Sequence, residues 1–172
     1  GKRKTNQKTG IGWHLGEQSA WGKMTNFEVA TRVPLIIAGP GIVPARSRVI
    51  TELVDLYPTL CGLTDVRPPP HLQGESLATA LRDPRNSRTA VAFSQFARFG
   101  DKFMGYALRV DRYRCVVWVE RKTGEVVHRE LYDHSSDPDE TNNLAASTEH
   151  SETVDRLETY LLRSVHSYAD GQ

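Results

Sequence analysis

Between residues 90 and 133 the chain carries four β-rich segments with few helix formers: Ala90 to Phe96, Phe103 to Val110, Tyr113 to Glu120 and Glu125 to Asp133. The last two are joined by Arg121-Lys122-Thr123-Gly124, a short polar turn with a glycine, which predicts an antiparallel hairpin. Asp137-Pro138-Asp139 to Asn143 is turn chemistry. From about Glu149 to His166, Val154, Leu157, Leu161 and Val165 recur at helical spacing with Tyr160 beside them, so an amphipathic helix is expected. This half therefore predicts a small antiparallel sheet with one helix packed on it.

The first half reads differently. Val33 to Ala38 is a continuous apolar run closed by Gly39-Pro40-Gly41. That is the pattern of a strand buried on both faces, with Pro34 tolerable only near its start. From Thr51 onward Leu53, Val54, Leu56, Tyr57, Leu60 and Leu63 have helical spacing, with Thr51 as cap and a kink expected at Pro58. A stiff proline connector ends at Pro70, and a short helix is expected from Ser76 to Leu81. The polar stretch Arg82 to Thr89 marks a boundary. The fold class is α/β, in three parts: an atypical, disordered start over 1–11, an α/β part over 12–85, and a small subdomain over 86–172.

With 172 residues the chain is long enough for one sizeable core. A formal net charge of +1 gives no reason to propose nucleic acid as a partner, although a local basic pocket for a polyanion stays open. No apolar stretch approaches the ~20 residues that cross a bilayer, so no membrane partner is expected. The basic run over residues 1–9 is followed by no apolar h-region. Cys61 and Cys115 lie far apart, fit no metal-ligand spacing, and read as buried free thiols; a disulfide between them stays open.

The chemistry is concentrated near the beginning. Gly12-Trp13-His14-Leu15-Gly16-Glu17, then Trp21-Gly22-Lys23-Met24-Thr25-Asn26-Phe27-Glu28, then Arg32-Val33-Pro34-Leu35-Ile36-Ile37 resembles the late active-site segment of sulfatases, most closely the iduronate-2-sulfatase family. Phe93-Ser94-Gln95-Phe96-Ala97-Arg98 and Met104-Gly105-Tyr106-Ala107-Leu108-Arg109 resemble later segments of that family. Glu130-Leu131-Tyr132-Asp133 leading to Asp137–Ala145 is similar to C-terminal subdomains across sulfatases.

The resemblance implies the C-terminal portion of an alkaline-phosphatase-like fold and hydrolysis of O-sulfate esters, on sulfated uronate-containing or related polysaccharides. It implies calcium as the family's cofactor, and an exported setting: periplasmic, secreted or lysosomal. Lys23 matches the lysine that points at the sulfate oxygens, a point charge suited to a tetrahedral anion. Trp13 would wall the pocket. His14 would donate to a sulfate or sugar hydroxyl, protonate the leaving group, or simply pack beside Trp13. Arg98 would pair an acidic sugar, or else form a salt bridge between the two subdomains. Gln18 stands where many relatives carry histidine, Trp21 reads as core, and Arg109, Arg112 and Arg114 read as a solvated strand face.

The resemblance also marks what differs. The family's calcium-binding Asp-His pair falls on Gly10 and Ile11, which offer no side-chain oxygen. The Cys-X-Pro-X-Arg motif that becomes the formylglycine nucleophile is absent, Cys61 being followed by Gly62-Leu63-Thr64. The expectation is a fragment or mis-started reading frame that needs a missing N-terminal catalytic half and has no activity alone. The rivals are a noncatalytic sugar-binding or partner subunit, another alkaline-phosphatase-like hydrolase, and a barely folded product that aggregates through Val33–Ala38.

Overall fold

The computed structural model describes residues 12–84 and 91–170, the side chains through 165. Its centre is a meander of four antiparallel strands in chain order, β3 (Val91–Arg98), β4 (Phe103–Val110), β5 (Tyr113–Glu120) and β6 (Val126–Asp133). The sequence boundaries agree for β4 and β5 and shift by one or two residues for β3 and β6. Gly124, with φ 77°, turns β5 into β6 in a conformation that favours glycine.

The long helix α4 (Ser151–Asp170) crosses one face of this sheet. Val154, Leu157 and Leu161 pack against Leu108, Cys115, Val117 and Leu131 to make the core. Tyr160 lies at its rim, stacked on Phe93 with ring centroids 6.3 Å apart. This is the amphipathic helix its sequence predicts, because the apolar stripe returns every three or four residues.

The opposite face is thinner. Pairing places Gly105, Ala107 and Arg109 of β4 opposite Trp118, Val116 and Arg114 of β5. The small residues leave room for the segment around α1 (Glu28–Thr31), and Asn26 Nδ2 donates to the Gly105 carbonyl at 3.0 Å. A Cβ on Gly105 would lie 2.8 Å from both that nitrogen and the Trp118 ring, so glycine is required here by contact.

The third unit joins a turn of 3-10 helix (Leu53–Asp55) to α2 (Leu56–Leu63) and α3 (Ala78–Arg82). Buried Asp55 organises it, accepting from the amides of Glu52 at 3.0 Å and Glu75 at 2.8 Å. The start is a reciprocal capping box between Glu52 and Asp55, so Glu52 takes the role expected of Thr51. Glu52 Oε1 also accepts from the Phe93 amide at 3.1 Å, fastening the unit to β3.

Two expectations are corrected. Pro58 makes no kink: it is the third residue of α2, where a missing N–H costs no helical bond. The break falls instead where the 3-10 turn meets α2. Val33–Ala38 forms no strand, with Leu35 46% and Ile36 89% exposed. A strand needs a neighbour for its amides and carbonyls, and no described strand runs beside this run. Residues 1–11, with Gly10 and Ile11, and most of the Arg82–Thr89 boundary lie outside the described residues.

Candidate functional site

Two-residue strands β1 (His14–Leu15) and β2 (Trp21–Gly22) form a small hairpin, with His14 opposite Gly22 and Leu15 opposite Trp21. Trp13 is 56% exposed on it, and the Lys23 ammonium sits 6.0 Å from the Trp13 ring centroid. An exposed ammonium near an aromatic face leaves its hydrogens available to an anion. Trp21 is also outside, 76% exposed, against the expectation of a core residue. On so narrow a hairpin its side chain has no packed layer to enter.

His14 is fully buried, and both ring nitrogens are engaged. Nδ1 lies 3.1 Å from the Glu17 carbonyl and Nε2 lies 2.7 Å from Thr25 Oγ1. A carbonyl only accepts, so Nδ1 donates to Glu17, and Nε2 is hydrogen-bonded to the Thr25 hydroxyl. His14 also meets Phe27 edge-on at 5.9 Å. Both ring nitrogens of His14 are thus engaged within the segment, and its ring contact is with Phe27. Its bonds brace the two ends of the hairpin, one beside Trp13 and the other two residues past Lys23.

Glu17 fixes the loop through the backbone. The Leu15 amide donates to Oε2 at 2.6 Å, and this bond chiefly holds the carboxyl below its ordinary range. Gln18 Nε2 donates to the Asp139 carbonyl, tying the hairpin to the turn after β6.

The hairpin is anchored by ion pairs that strand patterning does not predict. Arg114, only 3% exposed, donates from Nε to Glu140 Oε1 at 2.6 Å and from Nη1 to the Asn26 carbonyl at 2.9 Å. Its Nη2 reaches Glu28 Oε2 and Thr31 Oγ1. Glu140 Oε2 accepts from the Glu28 amide at 2.7 Å, and His134 Nε2 lies 2.7 Å from Glu140 Oε1. Arg109 Nε stands 3.4 Å from Glu28 Oε2. Of the three arginines expected on a solvated face, only Arg112 stays exposed, paired with Asp133. Arg109 and Arg114 oppose each other across β4 and β5. Directly opposed like charges destabilise a sheet unless acids cover them, and Glu28 and Glu140 supply that cover.

Arg98 lies exposed at the end of β3 with its guanidinium 5.5 Å from the Phe96 ring. The tie between subdomains expected of it is made by Arg114. Arg98 nevertheless shares a face with the hairpin. Asn26, three residues after Lys23, docks on Gly105, whose partner in β3 is Phe96, and Arg98 follows two positions along.

Glu28, His134 and Glu140 bring one ligand atom each within 4.8 Å of one another, the three-ligand grouping found among the described residues. Calcium does not fit there. Two guanidiniums already occupy the carboxylates, one ligand is a nitrogen, and a divalent ion would be pressed against Arg114 and Arg109. Neither cysteine makes a disulfide, and burial pushes the Cys115 thiol up to about 12, leaving it protonated and inert.

Residues 16–167 match the family described as N-sulphoglucosamine sulphohydrolase, C-terminal. The chain belongs to this sulfatase family. It is 30% identical to human iduronate 2-sulfatase over 200 residues, covering 77% of this chain and 36% of that protein. It is 33% identical to mouse arylsulfatase K over 161 residues, covering 88% of this chain and 28% of that protein. Among solved structures it resembles an enzyme in complex with its substrate D-glucosamine-2-N,6-O-disulfate, with TM-score 0.77 and 26% identity over 92% of this chain and 33% of that one. A 2-O GAG sulfatase matches with TM-score 0.71 and 29% identity over 88% of this chain and 33% of that one. The chain thus spans about a third of the length of these relatives. Its fold is the α/β, alkaline-phosphatase-like fold of the sulfatases, ending in the small antiparallel sheet and helix described above.

Proposed function

We propose that this chain supplies the sulfate-facing wall of an enzyme of the iduronate-2-sulfatase type, which hydrolyses O-sulfate esters of sulfated uronate-containing or related polysaccharides. The Lys23 ammonium held beside exposed Trp13, on a hairpin braced by His14, is the observation that carries this reading. Lys23 pairs the sulfate oxygens, Trp13 walls the sugar, and Arg98, on the same side of the sheet, pairs an acidic group of the substrate. His14 acts by positioning the hairpin. The substrate of the solved relative, a sulfated glucosamine, supports a sulfated sugar as the ligand class. Residues 12–85 form the end of the large domain and 86–172 the small subdomain.

Metal dependence is a property of the sulfatase family, and calcium is the ion proposed for the whole enzyme. The described residues hold no fitting calcium site, so no step is assigned to the ion here. These 172 residues also carry no Cys-X-Pro-X-Arg motif. An anion-holding lysine without an attacking group lowers no barrier by itself. The purified chain is therefore predicted to be inactive toward a chromogenic aryl sulfate, its rate equal to that of Lys23→Ala. Turnover above that control contradicts the assignment.

A further inference from the structure

The turn between β3 and β4 holds three consecutive residues in the left-handed backbone region: Phe99 at φ 54°, Gly100 at 63° and Asp101 at 67°. Two of them carry side chains, for which that region is unfavourable, and strain of this kind marks places where geometry serves binding. Its result is that Phe99 projects outward, 81% exposed, with its ring edge-on to Phe103 at 6.1 Å. A cation flanks each side: Arg98 stands 5.5 Å from the Phe96 ring and Lys102 stands 4.8 Å from the Phe103 ring. The Arg121 amide donates to the Lys102 carbonyl at 3.0 Å, drawing exposed Arg121 and Lys122 of the next turn alongside. The acids here are Asp101, 3.6 Å from Arg121, and Glu120, 3.7 Å from Lys102. Among the described residues Arg98 has no carboxylate partner.

We propose that this hairpin tip is a second sugar-binding surface, taking a further residue of a sulfated polysaccharide beyond the one that Lys23 holds. The Phe99 ring lies against the C–H face of that sugar, and Arg98 and Lys102 pair its sulfate groups. Charge complementarity and the outward aromatic ring select this occupant over an apolar peptide, which has no use for flanking cations. The inference rests on the reading that the ligand is a sulfated polysaccharide and shares Arg98 with it, whereas Phe99 and Lys102, the residues varied below, have no part in that reading.

The test is calorimetric titration of the whole chain with a heparin octasaccharide and with a hyaluronan octasaccharide, which has carboxylates and no sulfate. The wild type is expected to bind heparin saturably and hyaluronan at least tenfold more weakly. Phe99→Asn/Lys102→Gln is expected to lose at least tenfold in heparin affinity, and Lys23→Ala less. Asn tolerates the left-handed region, so the turn is retained. Lys102→Gln alone, outside the strained stretch, gives a fold-safe check with an expected threefold loss. Unchanged affinity in both tip variants overturns the proposal; if Lys23→Ala alone then loses affinity, the assignment of Lys23 stands without it. Absence of saturable heparin binding, or equal affinity for hyaluronan, also overturns it.

Discussion

Among single residues, Arg114 has the most depending on it. It is buried, and the carboxylates of Glu28 and Glu140 rely on it for charge balance. Replacing it with Met keeps the bulk but leaves buried acids uncompensated, which costs about 3–5 kcal/mol in comparable pairs. Arg114→Met is therefore expected to lower the urea midpoint by that equivalent at unchanged m-value. Glu140 adds a pH dependence. Burial acts to raise its carboxyl, yet the His134 hydrogen bond, the Arg114 charge and the Glu28 amide together hold it below the ordinary range. A carboxyl depressed in the folded state binds fewer protons there than in the unfolded chain. Its contribution is thus present above the unfolded value of about 4.3 and is lost as pH falls through the lower folded value. Asp133 and Asp137, also depressed, act in the same direction. Urea midpoints should fall steeply below about pH 4, and Glu140→Gln should flatten that fall; an equal slope in the variant contradicts the account.

For the elements, the decisive junction is where the hairpin segment meets the sheet at Gly105. Gly105→Ala forces a Cβ to 2.8 Å from Asn26 Nδ2 and the Trp118 ring. Overpacking of this kind is expected to destabilise by about 1–3 kcal/mol, read as a lowered thermal midpoint. The strands and α4 were legible from local signals: β-rich composition with few helix formers in β4 and β5, and the Val154, Leu157, Leu161 stripe in α4. Val33–Ala38 was misread because a buried-strand pattern records apolar character and not the presence of a pairing partner. The anchoring network was illegible for a related reason. Glu28, Arg114, His134 and Glu140 come from three separated stretches, and strand alternation assigns Arg114 to a face without saying what covers that face. Lys23 and Trp13 are singled out only through a motif, since one exposed lysine and one tryptophan have no signature in spacing.

For the whole molecule, the sheet and α4 form a platform, the Arg114 cluster fixes the active-site-like segment to it, and the hairpin carries Trp13 and Lys23 outward. The role proposed for this segment is anion holding, through Lys23 beside Trp13. The chain's three tryptophans permit a direct test, because each indole N–H gives its own nuclear magnetic resonance signal. Trp118 serves as internal reference, its Nε1 donating to Glu130 Oε1 at 2.7 Å. On titration with a sulfated heparin disaccharide, the Trp13 indole signal is predicted to shift saturably as Lys23 turns to the sulfate, Trp118 to stay, and Lys23→Ala to abolish the shift. A Trp13 signal that does not move, or that moves equally in Lys23→Ala, contradicts the account.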